Sequence, residues 1–256
     1  MKNKNKKKRN LFLQRDFIFA VVCILIALVL VSRAIPDGAA RLNLGESGVG
    51  EKAIALTFEG TTGKYTQELI DALAPTGAKV TFFVYGEDVA KNPQTVLRAC
   101  DEGHMIGNLT YDSKPIYFMG KTKAKADINK SADAIGAEIG TRPYFVRVPD
   151  GFVSSYQLKT LNCFFVSWSA SVYDKGDYTA DDVYEKLMKK AADGEIIKLN
   201  INSESTVDGV IRAVEELQKE GYEFVRVDDL LTRNGNKLAR GVLYRKCKFD
   251  RNPLAF

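Results

Sequence analysis

The feature that most constrains this chain is an alternation, between residues 52 and 231, of seven short apolar runs with segments of helical period. The runs are "KAIALTF" (52–58), "KVTFFVY" (79–85), "HMIGNLT" (104–110), "YFVRV" (144–148), "CFFVSWS" (163–169), "EIIKLNI" (195–201) and "YEFVRV" (222–227). Between them lie "YTQELIDALA", "NPQTVLRACDEG", "KAKADINKSADAIGAEIG", "TADDVYEKLMKKAADG" and "TVDGVIRAVEELQKEG", whose apolar residues recur every three or four positions. Several of these end in glycine after a charged turn, and "TADD" has the hydroxyl-to-acid spacing of a capping box. Continuous β-branched runs joined by helices imply parallel strands buried on both faces with right-handed crossovers. The expected fold class is therefore α/β, an incomplete (β/α)7 barrel or else a doubly wound sheet. In either case function sits just past the C-terminal ends of strands.

Outside this region the chain changes character. Residues 1–16 form a basic tail, and "FIFAVVCILIALVLV" (17–31) followed by Ser32 and Arg33 reads as a transmembrane anchor over 17–33, with a cleaved signal peptide as the rival. The preceding lysines keep the N-terminus cytoplasmic and place the main domain outside a cell membrane that it crosses once. Residues 34–51, "AIPDGAARLNLGESGVGE", have the small, polar composition of a linker, the body spans 52–231, and 232–256 read as a C-terminal surface appendage. Eight of the 37 basic side chains fall in the first 33 residues, so the net charge of +5 belongs to the tail and the body is close to neutral. No basic face argues for a nucleic-acid partner. The four cysteines (23, 100, 163 and 247) have no short-spaced pair, and no zinc knuckle is expected. The single histidine, His104, opens the third run.

The strand ends carry the informative residues. In order they read "TFEGTT", "NLTYDS", "VRVPDG", "SASVYDK" and "LNINS". Taken together, they resemble the signature segments of the polysaccharide deacetylases, the NodB-homology domain of carbohydrate esterase family 4. The resemblance covers roughly residues 52–231 and implies an incomplete barrel of that type. It also implies hydrolysis of N-acetyl groups on peptidoglycan, chitin or related glycans, with a divalent metal held by one Asp and two His, a carboxylate base and a histidine acid.

Residue by residue, this chain departs from that pattern. Glu59 stands at the base position and Gly60 at the metal acid; Leu109 and Ser113 stand at the two metal histidines. Leucine cannot coordinate, and a neutral hydroxyl is a weak zinc ligand. Arg147 and Pro149 match, Asp150 replaces an aromatic residue, Ser171 replaces an acid, Asp174 matches and Lys175 replaces a tryptophan. The acid histidine is Asn200, which delivers no proton near neutral pH. The expectation is a catalytically silent member with vestigial positions Glu59, Arg147, Asp174 and Asn200, no metal and no other cofactor. Arg147 is expected to pair with Glu59 or Asp174 across the pocket floor.

Its partner is then a cell-wall glycan held by rim groups, of which Tyr111, Asp112, Asp150 and Tyr173 are the candidates beside the aromatic residues Tyr117, Phe118, Phe152 and Tyr178. The alternatives are an interaction protein of an envelope assembly and a deacetylase of altered mechanism. His104, five residues before the first expected metal ligand, is assigned a packing or turn role.

Overall fold

The protein is described here by a computed structural model covering residues 51–60, 62–172 and 177–247. The first strand, β1 (Lys52–Glu59), sets the layout, because both its faces are buried. Ala53 and Ala55 join an inner cluster, while Ile54, Leu56 and Phe58 point outward into the layer under the helices. That alternation turns Thr57 and Glu59 toward the barrel interior.

The strands β2 (Thr81–Val84), β3 (Met105–Asn108), β4 (Phe145–Val146) and β5 (Phe164–Val166) follow on one side of β1. On the other lie β7 (Ile196–Leu199) and then β6 (Ala170–Val172), all pairings being parallel. The eighth strand, β8 (Tyr222–Phe224), fits between the starts of β1 and β2: Val225 N–H donates to Ile54 O and Lys79 N–H to Phe224 O. Helices α1 (Lys64–Leu73), α2 (Gly86–Val89), α3 (Pro93–Asp101), α4 (Lys121–Ile139), α5 (Ser155–Leu161), α6 (Ala180–Lys190), α7 (Glu204–Lys219) and α8 (Val227–Thr232) connect them. The box expected at "TADD" is present, Thr179 Oγ1 accepting from Asp182 N–H at the start of α6. The result is a curled parallel half-barrel.

All seven expected runs contain a strand, and two further strands correct the count. Ala170–Val172 follows β5 with no helix between, so one crossover of the alternating pattern is missing. The second addition is β9 (Leu243–Tyr244), which lies in the segment read as a surface appendage and pairs in parallel with β5. Past it, Lys246 bridges Glu195, and Cys247 N–H donates to Gly194 O at 2.8 Å. Residues 241–247 therefore close the seam between β5 and the start of β7. The expected anchor at 17–33, almost all of the linker and residues 248–256 lie outside the described residues. Among the described residues no helix is long and apolar enough to cross a membrane.

Candidate functional site

At the C-terminal end of the barrel, β1 delivers Thr57 and Glu59, the residue after β4 is Arg147, and β7 carries Lys198 between Ile197 and Leu199. Arg147 is fully buried and spends its donors on four acceptors. Its Nη1 donates to Thr57 Oγ1 (2.8 Å) and Glu59 Oε1 (3.2 Å), Nη2 to Ser167 O (2.9 Å), and Nε to Val166 O (3.3 Å). The guanidinium lies 4.0 Å from the centroid of the Phe83 ring. Burial pushes its pKa down to about 10 against the opposing pull of Glu59, so it stays charged at neutral pH. The expected pairing of Arg147 with Glu59 is present; Asp174, the other expected partner, lies outside the described residues.

The second oxygen of Glu59 is taken by a residue that the strand-end reading passed over. Lys198 Nζ lies 2.9 Å from Glu59 Oε2 and 4.1 Å from the centroid of Trp168. The signal available in the sequence was one lysine in the middle of an otherwise apolar strand, where a charge is stable only if it meets a partner. Tyr85 borders the same mouth: burial, followed by the charges of Glu59 and Asp150, pushes its hydroxyl up to about 12, and it stays a hydrogen-bond donor.

The positions expected to match metal ligands do not form a donor set. Gly60 has no side chain and a left-handed φ of +77°, with the Tyr85 ring 3.5 Å from where a Cβ would stand. Leu109 is 1% exposed and belongs to the inner apolar cluster with Phe83, Phe145 and Val166. Its orientation is fixed by its neighbour: Asn108 accepts from Thr110 N–H through Oδ1 (2.7 Å) and donates through Nδ2 to Ile128 O (2.9 Å), holding Thr110 at a φ of 77°. Ser113 is exposed, and Asn200 is half-buried just past β7. Among the described residues no three His, Cys, Asp or Glu side chains come together in a way that fits a metal ion.

The rim residues separate into two groups. The ring of Tyr111 is covered by the Lys130 ammonium 3.5 Å from its centroid, and its N–H donates to Asp127. Asp112 is held below the usual carboxylate range by the Lys114 side chain that pairs with it. Tyr178 packs on the outer core under Lys186. Tyr173 lies outside the described residues. In contrast, Tyr117, Phe118 and Phe152 form an open aromatic platform, 41%, 86% and 68% exposed. Tyr117 meets Phe118 at 5.1 Å and Phe152 at 5.5 Å between centroids. Asp150, exposed at φ 61°, and Gly151, at φ 68°, join this platform to the mouth, because a Cβ on Gly151 would stand 2.7 Å from the Trp168 ring.

His104 lies away from this mouth. It is 4% exposed, its Nδ1 accepts from Val80 N–H (3.2 Å), and its ring meets Phe82 edge-on. The packing role expected for it is what the structure shows.

Residues 46–163 match the family described as Polysaccharide deacetylase. Over 196 residues the chain is 33% identical to the peptidoglycan-N-acetylmuramic acid deacetylase PdaA of Bacillus subtilis, covering 71% of this chain and 72% of that protein. It is 30% identical over 194 residues to the peptidoglycan-N-acetylglucosamine deacetylase PgdA of Listeria monocytogenes, covering 75% of this chain and only 41% of that longer protein. Among solved structures, one described as T48 deacetylase with substrate superposes with a TM-score of 0.71 at 30% identity, over 75% of this chain and 96% of that one.

Proposed function

Because this chain belongs to the polysaccharide deacetylase family, we propose that it is a member that holds cell-wall glycan without deacetylating it. Its relatives are named as peptidoglycan deacetylases, which supports a glycan of that class as its partner. The observation that carries the loss of catalysis is Leu109, sealed into the inner apolar cluster where the resemblance places a metal-binding imidazole. Gly60 and Ser113 supply no replacement donors, and Asn200 replaces the proton donor. With neither metal nor acid, Glu59 has no water to activate, and its two oxygens are occupied by Arg147 and Lys198.

Glycan is held at the platform of Tyr117, Phe118 and Phe152, with Asp150 beside it. Sugar rings stack on aromatic faces, while the exposed Asp150 carboxylate beside them supplies an acceptor. The apolar segment at 17–33 anchors the protein in the cell membrane with the barrel outside, which brings the platform to the wall.

Sedimentation with insoluble peptidoglycan tests the binding half of this reading. The domain is expected to co-sediment, and Phe118→Ala/Phe152→Ala to lose at least ~tenfold in affinity, since each stacked ring contributes on the order of 1 kcal/mol. Equal retention of the two forms would remove the platform from the account, and no retention of either would favour a protein partner in an envelope assembly.

A further inference from the structure

The mouth of the barrel contains a cation that no feature of the family resemblance assigns. Lys198 sits mid-strand in β7, where the alternation of Ile196 inward and Ile197 outward turns its side chain to the interior. Its side chain is only 15% exposed, and its ammonium rests against Trp168 while holding Glu59 Oε2. Arg147 holds Oε1 of the same carboxylate. Among the described residues, two buried or nearly buried cations thus flank the Glu59 carboxylate, while Asp150 is exposed at the rim.

We infer that the Lys198 ammonium is the resident counter-ion of this mouth and that it excludes divalent cations from it, over and above the missing ligands at positions 60, 109 and 113. The inference rests on the metal-free reading of the pocket and deepens it. Glu59 and Gly60 are neighbours at the end of β1, so a cation held at position 60 shares the mouth with that ammonium. The walls are the rings of Phe83, Tyr85 and Trp168, and like charges in so poorly solvated a place repel far more than they do in water. A lysine that acts only by masking Glu59 Oε2 also weakens metal binding, by withholding that oxygen, and it loses this effect once Glu59 is replaced by glutamine.

The test compares Glu59→Gln/Gly60→Asp/Leu109→His/Ser113→His with the same chain carrying Lys198→Met in addition, by calorimetric titration with zinc alone, so that no freed Glu59 oxygen contributes to the difference. Removing Lys198 is expected to tighten zinc binding at least ~tenfold; equal affinities would overturn the assignment. The native chain, titrated in parallel, keeps the two failures apart, because stoichiometric zinc on it would refute the metal-free reading itself. If histidine at the buried position 109 prevents folding, as thermal unfolding will report, the chain Glu59→Gln/Gly60→Asp/Ser113→His with and without Lys198→Met makes the same comparison with the same two outcomes.

Discussion

Arg147 is a structural tie across this site. A guanidinium with no exposure that donates to Thr57, Glu59, Val166 and Ser167 ties β1 to β5 through the barrel interior. Arg147→Ala strands those acceptors and removes the filling against Phe83, so urea unfolding is expected to show a loss of about 3–5 kcal/mol. Arg147→Met, which keeps the volume without the charge, is expected to cost less. His104 gives a pH signature. Burial, reinforced by Lys79, pushes its pKa down to about 4 from the usual 6.5, so the folded state favours the neutral ring that accepts from Val80 N–H. Its contribution to stability is complete above pH 6.5 and is lost as pH falls from there toward 4. His104→Asn is expected to flatten that part of the stability profile, and unfolding midpoints at pH 7 and pH 5 for the two chains measure it. Both residues could be located from sequence, Arg147 by its motif and His104 by its place before β3. Lys198 was passed over, because strand-end reasoning looks past the middle of a strand, although a lone lysine in the apolar run "EIIKLNI" was itself a signal.

The elements were legible where a crossover helix separates them. The seven apolar runs each contain a strand because a buried parallel strand must be apolar on both faces, and β1 shows this with Ile54, Leu56 and Phe58 on one side and Ala53 and Ala55 on the other. β6 was missed because it lies just past the run at 163–169, only Ser167, Trp168 and Ser169 separating it from β5, and its three residues carry no apolar run of their own. β9 is two residues long, and its partners in sequence lie far away, so no periodicity announces it. Its importance is testable at Gly194, whose φ of +80° and whose approach to Cys247 O, 2.4 Å from where a Cβ would stand, both demand glycine. Gly194→Ala is expected to cost about 2–4 kcal/mol, by backbone strain plus displacement of the closing segment. Gly221→Ala, at φ +84° with nothing nearby, carries the strain alone and is expected to cost about 1–2 kcal/mol. Chemical denaturation of the two variants separates the seam closure from the strain; equal losses would mean that the segment at 241–247 contributes little.

At the scale of the whole molecule, the barrel and the positions at its mouth were readable because a parallel α/β sheet puts its site at the C-terminal ends of strands whatever the chemistry there. What those positions now do depends on packing that sequence alone does not reveal. The Leu109 side chain completes the inner cluster, and Lys130 covers the Tyr111 ring while Tyr117, Phe118 and Phe152 stay exposed. The molecule that results keeps the half-barrel of its family, with Glu59 paired to both Arg147 and Lys198 at the mouth. The most direct test is elemental analysis of the purified barrel after incubation with zinc, paired with an assay of acetate release from N-acetylated peptidoglycan. Far less than one zinc per chain and no acetate above the rate without protein is the expected result; one zinc per chain together with steady acetate release would overturn the metal-free reading of the pocket.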